Sequence, residues 1–200
     1  AKKGIASSQD SDFIPDLELS LTARPSEVNI FPGRPTTVWH YRGELIKGDP
    51  AGLVNADQSY LGPIIRARRN QKVRIHFNND LPAESIIHWH GLHVPADMDG
   101  HPRDVIATGR KFVYEFEVHN RAGTYWYHPH PHGRTGYQVY GGLAGLLLIN
   151  DDVEKELGCP VGDYETPLAI QDRTFNSENQ LIYLPGGMMS QVNGMMGDTI

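Results

Sequence analysis

The run KVRIHFNNDLP, residues 72–82, alternates apolar and polar side chains and then stops at Asn-Asn-Asp before Pro82. Successive side chains of an extended strand point to opposite faces, so Val73, Ile75 and Phe77 make one apolar face. Further short β-type runs, some alternating and some rich in β-branched, aromatic or apolar residues, recur along the chain. LELSLTA starts at Leu17, TTVWHY at Thr36, SIIHWHGLHV at Ser85, KFVYEFEV at Lys111, GTYWYH at Gly123 and GLAGLLLIN at Gly142. The 21 glycines and 14 prolines supply turns between these runs and leave little room for long helices. Many short strands with such punctuation predict an all-β sandwich or barrel. Only DDVEKELG, residues 151–158, reads as a helix, with acids in its first turn and Gly158 as its stop.

Composition narrows the function classes. The 200 residues are 39% hydrophobic and 21% charged, which suits a packed core and not a disordered chain. The net charge of −6 argues against nucleic acid as a partner, because phosphates need a basic face. The longest apolar run, Gly141 to Ile149, is too short to span a bilayer. Cys159 is the single cysteine, so neither an internal disulfide nor a cysteine-rich zinc module is available.

The chain divides into four stretches. Residues 1–15 are a polar arm, 16–150 hold the run of strands, 151–158 form a linker helix, and 159–200 begin something new. In that last stretch YETPLAIQDRTF is a strand candidate. It precedes a loop-like segment with Met188, Met189, Met195 and Met196, and the sequence closes on GDTI. Some forty residues are too few to close a sandwich of their own.

The chemistry lies in two histidine clusters. HWHGLHVPADMDG begins at His88, and TYWYHPHPHGRTG begins at Thr124. His88 and His90 share one face of a strand, and Trp89 points the other way into packing. His128 and His130 repeat this arrangement around Pro129, which marks an edge or a strand end. If the two segments are neighbours, four imidazoles converge on one small volume. Imidazole is a leading ligand for zinc, copper, iron and nickel. Structural zinc favours cysteine, and catalytic zinc uses three protein ligands plus water. Four imidazoles without a carboxylate therefore lean towards copper.

These stretches also resemble a known family. HWHGLHVPADMDG and GTYWYHPHPHGRTGYQVYGGLAGLLLIN look like the first two copper motifs of multicopper oxidases, with bacterial laccases and copper-efflux oxidases as the closest pattern. The likeness extends to LGPIIRARRNQKVRIHFNNDLP, QDRTF and GDTI, and covers roughly residues 35–200. It implies a cupredoxin-like Greek-key sandwich over 16–150 and the opening of a second such domain over 159–200. It also implies that His88 is a ligand of a type 2 copper and that His90, His128 and His130 are ligands of paired type 3 coppers. Asp99, nine residues after His90, matches an acid that relays protons. In the family a type 1 copper passes electrons to the trinuclear cluster, where dioxygen becomes water. The type 1 cysteine and the remaining cluster ligands lie near the C-terminus of a longer chain. Cys159 has no His-Cys-His context, and no HxH pair follows residue 132. The resemblance thus makes this chain the N-terminal third of an oxidase, docked to a C-terminal polypeptide. The implied partners are dioxygen and a phenolic, aromatic amine or metal-ion reductant, in an extracytoplasmic (periplasmic or secreted) setting.

Other residues receive plainer readings. His132 and His93 are near-surface or ligand-supporting residues. His40, His76, His101 and His119 have no sequence partner and are read as structural. The methionine cluster is read as packing, although thioethers suit Cu(I). Two competing functions stay open: a non-catalytic copper-binding module for storage or delivery, and a zinc-dependent hydrolase.

Overall fold

The computed structural model describes residues 12–56, 59–160, 162–183, 197 and 199. The four late methionines and most of the 1–15 arm lie outside the described residues. Among the described residues nine strands form two sheets: β1 (Leu17–Val28), β2 (Thr36–Lys47), β3 (Leu53–Val54), β4 (Ile64–Arg68), β5 (Lys72–Asn79), β6 (Ile87–His90), β7 (Arg110–Glu117), β8 (Gly123–Pro129) and β9 (Gly145–Asn150). One sheet has the order β2-β1-β5-β7, the other β3-β4-β9-β8-β6. The pairs β1–β5 and β4–β9 are parallel, and the remaining pairs are antiparallel. This is the all-β, cupredoxin-like sandwich that the sequence implies.

The core is built from the alternation read in the sequence. Val73, Ile75 and Phe77 of β5 are buried, as are Leu17, Leu19 and Leu21 of β1 and Phe112, Tyr114 and Phe116 of β7. The facing sheet contributes Ile65, Ala67, Leu147, Ile149, Trp89 and Tyr127. Trp89 packs edge-on against Tyr114 at 5.2 Å and lies 5.8 Å from Tyr127. Each fully buried ring stabilises the fold by roughly 2–3 kcal/mol through removal of apolar surface from water. Tyr127 fits because Gly145 faces it: a Cβ there would lie 2.2 Å from the ring.

Three local readings need correction. The helix at 151–158 is shorter, α2 (Asp152–Glu156), with Asp151 capping it by accepting from the Glu154 N–H. A second helix was not anticipated. It is α1 (Thr135–Tyr140), directly after the second histidine cluster. Its four-residue neighbour GGLA is a turn, so the predicted strand from Gly142 starts only at Gly145. At six residues, under two turns, α1 is too short to show a helical period in the sequence. Third, YETPLAIQDRTF is not a strand. A 3-10 turn, Gly162–Tyr164, leads into it, and it carries isolated bridges at Arg173 and Phe175. Leu168 and Ile170 are each 76% exposed, with no strand beside them among the described residues to complete a ladder.

This later segment is nonetheless tied to the sandwich. Arg66 pairs with Glu165 at 2.6 Å. The buried Arg173 guanidinium donates to the Val139 and Tyr140 carbonyls at the end of α1 and stacks over the Tyr140 ring at 4.7 Å.

Candidate metal centre

β6 is an edge strand, and β8 is its single neighbour in the sheet. Their antiparallel register sets His88 opposite His128, Trp89 opposite Tyr127, and His90 opposite Trp126. Directly opposed residues share a face. Trp89 and Tyr127 therefore enter the core together, and His88, His90, Trp126 and His128 stand together on the outer face. Pro129 is the last residue of β8, and His130 follows at the strand end. The proline ends the ladder as its missing N–H requires.

The four imidazoles form one cluster. His88 lies at its centre, with ring centroids 5.6 Å from His90, 5.3 Å from His128 and 5.2 Å from His130. His128 and His130 are 5.9 Å apart. The ligand atoms of His88, His90 and His128 all lie within 4.8 Å of one another. The structure thus brings together all four histidines singled out from the sequence, with His88, His90 and His128 in the tighter group.

Backbone carbonyls orient two of these rings. His88 Nδ1 donates to the Asp99 carbonyl at 2.7 Å, which leaves Nε2 with its lone pair. His128 Nδ1 donates to the Pro129 carbonyl at 2.8 Å, with the same result. His90 Nδ1 sits 3.1 Å from His128 Nε2, so His90 donates in the metal-free pair. A separation of about 3 Å is also what two imidazoles adopt when both bind one ion with bonds of about 2.0 Å. His130 Nδ1 is buried without a hydrogen-bond partner. Among the described residues, His88 and His128 are the rings of this cluster that a backbone carbonyl holds at Nδ1. β6 and β8 supply carbonyls only where a turn or strand end lies beside the ring.

Burial pushes His128 down to about 4; the neighbouring His88, His90 and His130 lower it further, against the Pro129 carbonyl, which raises it. At neutral pH it is the uncharged, lone-pair-bearing form that a metal needs. The donor set is nitrogen alone, with no cysteine or carboxylate in the group. These features fit a copper or zinc ion.

Asp99 stands beside His88 in two ways. Its carbonyl accepts the Nδ1 proton, and its carboxylate Oδ1 lies 3.3 Å from the same nitrogen, with the side chain 40% exposed. The turn that brings it there depends on Gly100. This residue has φ +74°, and a Cβ on it would lie 1.9 Å from the Ile87 carbonyl oxygen. The Asp-Gly pair was legible as a turn, but its contact with β6 was not.

Sequence reasoning missed three further supports. Asn120 bonds the Gly91 carbonyl and the His93 N–H, joining the segments after β6 and before β8. Gln138, buried on α1, accepts from Ser85 Oγ and donates to the Glu84 carbonyl, just ahead of β6. Trp126 stacks on His90. None has a motif of its own; each acts through a register that only the folded sheet defines.

The other histidines stay outside the cluster. His93 and His132 are exposed. His76 pairs with Glu18 at 2.7 Å, and His101 caps a 3-10 turn. His40 is half-buried on β2 and is lowered first by burial, then by Arg24 and Arg42 against a Leu61 hydrogen bond. His119 is exposed, and so is Cys159.

Comparison with known proteins agrees with this geometry. Residues 37–154 match the family model described as multicopper oxidase. The chain is 38% identical over 157 residues to the multicopper oxidase mco of Staphylococcus aureus, covering 78% of this chain and 34% of that protein. It is 37% identical over 177 residues to a laccase of Bacillus stratosphericus, covering 74% and 32% respectively. The crystal structure of McoA multicopper oxidase from Aquifex aeolicus superposes with a TM-score of 0.73 at 40% identity, over 88% of this chain and 37% of that one. The chain spans about a third of the length of the curated relatives it matches. With the family model covering more than half of its residues and four histidines converging where the family's motifs predict, the chain belongs to the multicopper oxidase family.

Proposed function

We propose that this chain is the N-terminal part of a laccase-like multicopper oxidase and supplies half of its trinuclear copper site. The observation that carries the reading is the register of β6 on β8, which sets His88, His90 and His128 on one face, with the His130 ring 5.2 Å from His88 at the strand end. Residues 16–150 form the first cupredoxin domain, 151–158 the linker, and 159–200 the start of a second domain. The exposed Leu168 and Ile170 suit contact with further sequence of the same oxidase. His88 would hold the type 2 copper; His90, His128 and His130 would hold the type 3 pair. A type 1 copper belongs to the part supplied by that further sequence.

The copper ions, when bound, supply the one-electron steps that link oxidation of a phenol, aromatic amine or metal ion to reduction of dioxygen to water. The protein's own residues orient and protonate. Reduction of one dioxygen to two waters consumes four electrons and four protons. The Asp99 carbonyl fixes the tautomer of His88. Its carboxylate, near the cluster and partly open to solvent, holds and passes protons. Strands β6 and β8 give the site its rigidity, and the Asp99–Gly100 turn, Asn120 and Gln138 brace them from outside the ladder. No helix among the described residues is long and apolar enough to cross a membrane. An extracytoplasmic location follows from the family reading.

The test is metal analysis and dioxygen uptake on the full-length protein with a phenolic reductant. Copper bound together with reductant-dependent dioxygen consumption supports the reading. Bound copper with no consumption would favour storage or delivery, and bound zinc would overturn the assignment.

A further inference from the structure

Of the three rings in the tight group, His90 is the one no backbone group orients. Its Nδ1 is engaged by His128, and its Nε2 has no hydrogen-bond partner among the described residues. The residue is exposed, on an edge strand, just before the turn at Gly91. Rotation of an imidazole about its last torsion is soft, so such a ring wanders unless something holds its plane. Trp126 lies directly opposite on β8. Its ring stacks on His90 with centroids 5.0 Å apart and planes 29° from parallel, and it also lies 4.2 Å from His128. Offset stacking of this kind is favourable in its own right.

We propose that Trp126 is a positioning residue of the metal centre: it holds the plane of the His90 ring so that the ring stays set toward the volume it shares with His88 and His128. It does for His90 what the Asp99 and Pro129 carbonyls do for His88 and His128. The role touches no substrate and no electron. It rests on the copper reading for its purpose, but the orientation itself belongs to the metal-free protein.

The test uses Trp126→Leu and Trp126→Phe in the full-length protein, with near-ultraviolet circular dichroism to confirm that each folds. In the metal-free proteins, histidine-labelled NMR reads the His90 ring. The wild type and the Phe variant should show one set of signals displaced by the stacked ring, and the Leu variant an averaged set. In the copper-loaded proteins, a chelator competes for the metal. The Leu variant should surrender copper about tenfold faster, as loss of a ligand-orienting contact commonly costs, and the Phe variant should stay near wild type. A Leu variant equal to wild type in the NMR arm overturns the proposal, and so does a Phe variant that fails as fully as Leu. If the wild type takes up no copper, the copper reading falls, and the NMR arm still decides the role of Trp126.

Discussion

His88 and His128 face each other across the β6–β8 ladder, with ring centroids 5.3 Å apart, and each is locked by a backbone carbonyl on its Nδ1. Two strands far apart in sequence thus present two preset Nε2 lone pairs to one volume. Preorganisation of this kind means that the metal does not have to order these rings when it binds.

The pH behaviour of His128 follows from its burial. Its folded value is about 4, and a free histidine titrates near 6.5. Between these values the unfolded chain binds more protons, so stability rises with pH across this window. The contribution is fully present above about 6.5 and lost as pH falls to about 4, a swing of about 3 kcal/mol. Thermal denaturation of the metal-free protein at steps from pH 7 to pH 4 should therefore show a steeper acid loss in the wild type than in His128→Gln. Parallel curves would count against it.

Gly100 should tolerate no side chain. An alanine would combine the positive φ with a Cβ 1.9 Å from the Ile87 carbonyl oxygen. Gly100→Ala should lower the free energy of unfolding by about 3–5 kcal/mol in urea titrations. By displacing the Asp99 carbonyl from His88, it should also weaken copper retention. A variant with wild-type stability would mean that the turn does not rest on β6.

Asp99→Asn separates the two contacts of this residue. The carbonyl that orients His88 remains, so copper content should be unchanged. The ionisable carboxylate is gone, so dioxygen reduction in the full-length protein should slow by about a hundredfold, with an altered pH profile. Unchanged turnover from acid to neutral pH would remove Asp99 from proton delivery.

The part of the fold that was legible in the sequence is the part set by period two. Val73, Ile75 and Phe77, or His88 and Trp89, declare their faces by alternation alone, and the sheet respects them. The short helix α1 was not legible, because six residues carry too little helical period to register. The candidate strand from Tyr164 was misread for the opposite reason: it has strand composition, but a strand exists only with a ladder partner. Likewise the site histidines were visible as motifs. Their supports, Trp126, Asn120 and Gln138, became visible only once pairing had set which residues lie opposite.

Copper stoichiometry of the His128→Ala, His130→Ala double variant tests the four-histidine centre most directly. The comparison is the full-length wild type and a His93→Ala, His132→Ala control, whose residues are exposed and outside the cluster. The double variant should fold, because neither His128 nor His130 belongs to the apolar core, and should lose the copper of this centre. The control should keep it. A double variant that retains the full wild-type complement of copper would contradict the assignment of these histidines as ligands.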